Sequence, residues 1–408
     1  MGTHRGAGAL DRKGLSMAMV EWFEFQVPGK VICAEHCVDS VGMEMDKVGG
    51  TKVLVVTDKG VEKAGIADAV IAGMESGTAE IVGTFDDVPP NSEVKVVQAC
   101  FDMAKGLGAD SIISVGGGSA IDTAKGAAIL MVEGGDLVDL QSAIYVASGR
   151  MPPHISVPTT AGTGSEATFM AVIADHEEKA KLIFQGPDLA PMVAMLDPVM
   201  TRTLPPHLTA STGMDALTHC VEAMHSELQE PICDGLGFYG IRLISKYLPL
   251  AVRDGSDMEA RKQMLIAANM GGVAFINSLP GIIHAMAHSL GGRFGVPHGL
   301  ANSILLPYGM EFNLRYVEEG VPAKYRLIAE ALGLDVSGDD DLTAAKRAIE
   351  YLKDFTADLG LPQRLSEAGV PEDGLEAVTE DSMIDGAMFN NPGEPEFDEV
   401  LELFKQAF

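Results

Sequence analysis

Short β-branched runs alternate with helical stretches through the first half of the chain, and after Pro205 and Pro206 the β-branched runs fade and a 3.6-residue periodicity takes over. These observations predict an α/β N-terminal domain on a parallel, Rossmann-like sheet, followed by an all-α C-terminal domain. A third observation is the run Gly116, Gly117, Gly118, Ser119 at a strand-to-helix junction. Glycines there let an anion approach the backbone, where the amides and dipole of a helix start attract it.

The elements follow in order. Residues 52–57 (KVLVVT) read as a strand that ends in the turn DKG, and 61–74 read as a helix. A second strand covers 79–85, a second helix 94–107, and a third strand 111–115 runs into the glycines and a helix through 125–130. Lys181 falls in KLIF, a hairpin strand. In the second half, helices are expected over 208–224, 235–247, 258–275, 284–290, 324–332, 341–358 and 397–406. The expected domains are 20–205 and 206–408. Residues 1–19 contain no signal-type apolar core and read as a leader, with Met17 or Met19 as a natural start. Residues 22–32 (WFEFQVPGKVI) read as a hairpin whose edge pairs with another subunit, which predicts at least a dimer.

Composition narrows the classes of partner. The chain has 408 residues, enough for two domains with cores, and is 47% hydrophobic and 21% charged. A net charge of −29 repels polyanions, so nucleic acid is not an expected partner. No apolar run reaches membrane-span length. The five cysteines are odd in number and scattered, which fits a reducing, cytoplasmic compartment rather than a disulfide framework.

The chemistry gathers in the second half. Asp215 and His219 are four apart in a helical run, so they share a face. His284 and His288 repeat that spacing, and His298 follows a Gly/Pro-bounded turn that brings it back toward them. One carboxylate and three imidazoles make a ligand set for a divalent first-row metal, and one histidine is left over to carry protons. In the first half, the polar loop PTTAGTGSE (158–166) offers hydroxyls and glycine amides to phosphate or ribose oxygens, or a capped helix start. Asp58 ends the first strand, where a carboxylate accepts ribose hydroxyls and repels a 2′-phosphate; it also suits a plain turn.

The segments GMDALTHCVEA, HAMAHSLGGRFGVPHGLANSILLPYGMEFN, GGGSAIDTAK and PTTAGTGSE resemble the iron-containing (group III) alcohol dehydrogenase family, in its lactaldehyde reductase and 1,3-propanediol dehydrogenase branch. The resemblance runs from about Trp22 to the C-terminus. It implies a dehydroquinate synthase-like fold. It also implies Asp215, His219, His284 and His298 as metal ligands, with His288 as the non-ligand histidine beside the nicotinamide. Cofactor contacts are implied for Asp58, Gly116, Gly117, Gly118, Ser119, Thr159, Thr160, Thr163, Thr168 and Lys181. Asn91 joins them, although Pro-Pro-Asn-Ser replaces the family's Pro-Asn-Pro and shifts its alignment by about a residue. Met170 and Phe275 are implied near the reacting carbon. The implied cofactors are NAD(H) and Fe²⁺, with Zn²⁺ suiting the same ligands, and the implied reaction is reversible hydride transfer with a short primary alcohol, diol or aldehyde. Two rival enzyme classes remain: a metal-independent reductase of the same superfamily, and a lyase of the dehydroquinate synthase type. The complete ligand set opposes the first. The second needs basic residues for an anionic substrate, and Arg293 is the main one present.

Overall fold

The computed structural model describes residues 22–27, 29–141, 144–175 and 180–408, so the expected leader lies outside the described residues. Six parallel strands form one sheet: β1 (Lys30–Cys33), β2 (Lys52–Val56), β3 (Glu80–Phe85), β4 (Ser111–Gly116), β5 (His154–Pro158) and β8 (Val193–Leu196), in the order β1-β8-β5-β4-β2-β3. An antiparallel hairpin, β6 (Met170–Asp175) with β7 (Ala180–Gln185), stands apart from the sheet.

Sheet residues alternate between two cores, as the pleat requires. Leu54, Val56 and Ile112 enter one core with α4 (Val94–Leu107) and α5 (Gly118–Glu133). Val53, Val55, Ile113 and Val115 enter the other, with α1 (Val41–Val48) and α3 (Ile66–Gly73). Helices on both faces explain why the central strands are apolar throughout. β2 is flanked by β3 on one side and β4 on the other, so the strand order reverses at the β2/β4 crevice. Ligands of open parallel sheets bind outside such a crevice, at the carboxyl ends of the strands. Asp58 follows β2 and Gly116 ends β4, so both lie there.

The helical half opens at Pro206, the first residue of α6 (Pro206–His225), where a missing amide costs nothing. The sheet ends at Leu196, and we propose the domain division at 205/206 on that ground. α7 (Pro231–Arg253), α8 (Met258–Ser278), α9 (Ile282–Phe294), α10 (His298–Asn313), α11 (Val321–Ala331), α12 (Asp341–Asp358), α13 (Leu375–Met383) and α14 (Phe397–Ala407) follow around one apolar core. Among the described residues no single helix is long and apolar enough to cross a membrane.

Three expectations need correction. The helix expected over 61–74 breaks at Gly65, whose φ of +72° ends α2 (Lys59–Lys63) before α3 begins. The hairpin expected over 22–32 does not form among the described residues. Residues 22–27 have no regular structure, and Lys30–Cys33 is a sheet-edge strand paired in parallel with β8. The backbone of Gln26 is instead clipped to α8: its N–H donates to Asn277 Oδ1 (2.7 Å) and its carbonyl accepts from Asn277 Nδ2 (3.1 Å). Third, α10 was not anticipated. It begins directly after the Gly/Pro-bounded turn and runs through Gly299 and an interior Pro307.

Candidate active site and metal centre

Asp215 and His219 lie one turn apart on α6, His284 is buried in the first turn of α9, and His298 is the first residue of α10. One ligand atom from each of the four lies within 4.8 Å of all the others. Asp215 Oδ1 stands 3.4 Å from Nε2 of His298, 3.9 Å from Nε2 of His284 and 4.0 Å from Nε2 of His219. A tetrahedral ion with bonds of 2.0–2.2 Å needs donors about 3.4 Å apart, so the set closes on an ion with small movements. Gly299 permits this convergence: a Cβ there would lie 2.3 Å from the carbonyl oxygen of Ser211 and 3.3 Å from Asp215 Cβ. α10 therefore packs against α6 closely enough for His298 to reach Asp215.

Protonation of these residues follows from burial and charge. Burial depresses the pKa of His219 to about 4, against the pull of Asp215. Burial and the neighbouring imidazoles hold His298 well below its ordinary value. Both are neutral near pH 7, as ligands must be. Burial also disfavours charge on His284, but the charge and hydrogen bond of Glu222 outweigh it and raise its pKa. Glu222 is fully buried; its Oε2 meets His284 Nδ1, leaving Nε2 to face the other donors.

His288, the fifth residue, stays beside the set rather than in it. Its ring stacks on His298 with centroids 5.4 Å apart, and its Nδ1 meets Asp385 Oδ2 at 3.0 Å. Burial lowers the His288 pKa, with Asp385 opposing and Lys181 assisting. Lys181, on β7, lies within electrostatic reach of Asp385, Asp122 and Asp215, so it faces this cleft.

The expected cofactor residues also come together. Gly116 and Pro158 are partners across β4 and β5, which brings the glycine turn and the threonine loop to the same sheet edge. A Cβ on Gly117 would lie 3.3 Å from Thr160 Oγ1, and one on Gly118 would lie 3.0 Å from Thr163 Oγ1. Thr159 donates its backbone N–H to Gly116 O (3.0 Å). Asp58 Oδ1 accepts from the amides of Gly60 (2.8 Å) and Val61 (3.0 Å), capping α2, while Oδ2 faces Gly116. Asn91 takes a left-handed conformation (φ 73°) and donates its backbone N–H to Ser119 Oγ, so it joins the glycine turn. Thr168 is buried and lies under the loop, with its hydroxyl 3.0 Å from Lys125 Nζ.

Met170 and Phe275 meet in one apolar cluster with Phe169 and Phe25. Phe275 stacks on His219 with centroids 4.3 Å apart, so the cluster borders the metal centre. Arg293 is committed to a two-point pair with Asp381 and is not free for an anionic substrate.

Four participants escaped the sequence reading. Glu222, Asp385 and Asn302 each contact a histidine or Asp215 that is distant in sequence. Lys125, fully buried, braces the threonine loop: Nζ donates to the carbonyls of Ser165 (2.8 Å), Thr168 (2.9 Å) and Met170 (2.6 Å), and burial lowers its pKa to about 8. Of the four, only Glu222 carried a signal that could have found it: it follows Asp215 by seven residues in the same helix, which puts it on the ligand side.

A parallel sheet with a glycine turn at its switch point, joined to a helical domain carrying an Asp/His cluster, places a candidate anion site and a candidate metal site in one two-part architecture. Residues 28–198 match the iron-containing alcohol dehydrogenase family, and residues 209–408 match the C-terminal part of the Fe-containing alcohol dehydrogenase family. The chain belongs to the iron-containing alcohol dehydrogenase family and is an alcohol oxidoreductase. It is 37% identical to the 1,3-propanediol dehydrogenase of Citrobacter freundii over 95% of this chain and 99% of that one. The crystal structure of a 1,3-propanediol oxidoreductase superposes with a TM-score of 0.91 at 37% identity, covering 95% of this chain and 100% of that one. A sulfoacetaldehyde reductase from Bifidobacterium kashiwanohense, solved in complex with NAD⁺, superposes at 0.83 with 28% identity, covering 95% and 98%.

Proposed function

We propose that the protein is a metal-dependent, NAD(H)-linked alcohol dehydrogenase and aldehyde reductase for short aliphatic primary alcohols, diols or aldehydes. The observation that carries this reading is the convergence of Asp215, His219, His284 and His298 beside the His288–Asp385 pair. Three imidazole nitrogens and one carboxylate oxygen suit Fe²⁺ and Zn²⁺ alike, and iron is the metal the family name supports. NAD(H) is supported by the NAD⁺ complex of the sulfoacetaldehyde reductase and by Asp58, which would repel a 2′-phosphate.

When bound, a divalent ion would supply Lewis acidity at the carbinol or carbonyl oxygen, and the nicotinamide would supply or accept hydride. The chain's own residues do the rest. The glycine turn and Thr160 and Thr163 would hold the pyrophosphate and ribose, and Lys181 would hold the end nearest the cleft. Donation from His288 Nδ1 to Asp385 leaves Nε2 to take or return the substrate proton. Phe275, Phe169 and Met170 present apolar surface, which favours an aliphatic chain over a polyol whose buried hydroxyls would lack partners. Commitment of Arg293 to Asp381 disfavours the lyase reading.

The free, scattered cysteines fit a reducing cytoplasm. The exposed face of edge strand β1 supports a dimer or larger homo-oligomer, tested by the solution mass at micromolar concentration. His284→Ala tests the site: turnover should be lost while NADH still binds, and full turnover in this variant would defeat the metal mechanism.

A further inference from the structure

We propose that Asn302 is a positioning residue of the metal centre: its side-chain amide holds the Asp215 carboxylate oxygen where that oxygen meets the three imidazoles. This rests on the metal-binding reading above.

Asn302 follows His298 by four residues on α10, so one helix face presents a ligand and, one turn later, the residue that touches the other ligands. Asn302 is fully buried. Its Nδ2 lies 2.7 Å from Asp215 Oδ1, 3.2 Å from His284 Nε2 and 3.2 Å from His298 Nε2. An ionised carboxylate only accepts, so Nδ2 donates to Asp215 Oδ1, the shortest of the three contacts. The second N–H of the amide faces the two imidazole nitrogens. Without this donor, the carboxylate oxygen would face the imidazoles in a buried space.

The other end of the amide shows what orients it. Asn302 Oδ1 is buried with no hydrogen-bond partner among the described residues. Nothing bonded to the carbonyl turns the side chain, so its orientation is set on the Nδ2 side, toward Asp215 and the imidazoles. An unpartnered buried carbonyl is costly. A residue retained here for packing alone would be better served by an apolar side chain of the same size. The polar amide is therefore explained by what it does to Asp215. Groups that hydrogen-bond to a metal ligand typically change metal affinity 10–100-fold when removed.

The discriminating variant is Asn302→Leu, of similar size and with no donor. Metal-free wild type and variant are titrated with Co²⁺ under argon, with the dissociation constants for Co²⁺ and NADH and the visible spectrum of the Co²⁺ protein as readouts. The expected result is about 10–100-fold weaker Co²⁺ binding and an altered Co²⁺ spectrum, with NADH affinity within about twofold of wild type. In an Asp215→Asn background the same change should cost less than about threefold, because the amide acts through the carboxylate. Asn302→Ala, which leaves space instead of methyl groups against the imidazoles, serves if the leucine variant does not fold. Co²⁺ affinity within about twofold of wild type in a folded variant overturns the proposal, as does an undiminished loss in the Asp215→Asn background. Failure of the wild type itself to bind Co²⁺ removes the metal reading before any variant is compared.

Discussion

Glu222 holds His284 from behind. Its Oε2 meets His284 Nδ1, while its Oε1 accepts the backbone N–H groups of Gly281 (3.1 Å) and Ile283 (3.0 Å) at the start of α9. One carboxylate from α6 thus caps the helix that carries His284 and sets which nitrogen of that imidazole faces the other donors.

Glu222→Gln separates these roles. A glutamine amide turned toward His284 donates to Nδ1 and leaves the proton on Nε2, where it blocks ligation. Metal affinity should fall about 10–100-fold, measured by competition with a chromophoric chelator. Unchanged affinity would show that Glu222 serves the helix alone.

Asp58 should govern the choice of cofactor. Asp58→Gly removes the negative charge beside Gly116 but costs the α2 cap only a few tenths of a kcal/mol, because glycine is tolerated at that position. The ratio of kcat/KM for NADH over NADPH should fall by about tenfold or more. An unchanged ratio would remove Asp58 from cofactor discrimination.

Phe25 should limit substrate size. It packs with Phe169, Met170 and Phe275, and the Gln26–Asn277 clip fixes its backbone. Phe25→Ala should raise the kcat/KM ratio of hexanal to propanal about tenfold. A constant ratio in an active variant would place Phe25 outside the pocket.

Acid should weaken the fold through His154. Burial, with Lys125 adding to it, depresses its pKa from 6.5 to about 3, and Nε2 stays 2.8 Å from Ser114 Oγ. Below pH 6.5 the unfolded chain takes up a proton that the folded chain refuses. Stability therefore falls as pH drops toward 3, by up to about 1.4 kcal/mol per pH unit from this residue. His154→Gln keeps a hydrogen-bonding group and cannot titrate, so denaturant midpoints from pH 7 to 5 should fall less steeply than in wild type. Parallel slopes would contradict this.

What the sequence made legible, and what it hid, have physical causes. Asp215 and His219, and His284 and His288, stand at helical spacing, and His298 follows a Gly/Pro-bounded turn, so their convergence was readable. GGGS and PTTAGTGSE were each readable as loops for phosphate or ribose oxygens, but that they face each other was not, because it depends on β4 and β5 being neighbours in the sheet. Asp385 was hidden because its partner His288 lies 97 residues away, and Asn302 because Asp215 lies 87 residues away. Periodicity carries no information about such pairs. Lys125 was hidden because a lysine in a helix ordinarily faces solvent, whereas this one turns into a ring of loop carbonyls. The hairpin over 22–32 failed because β1 finds its partner in β8, far along the chain.

The most direct test of the central claim is anaerobic turnover of protein stripped of metal and reloaded with Fe²⁺ or Zn²⁺, given NADH and a panel of short aldehydes. The account predicts no NADH oxidation in the stripped protein and recovery on reloading, with short aliphatic aldehydes turned over fastest. Full turnover in the stripped protein, or none with either metal while NADH remains bound, would contradict it.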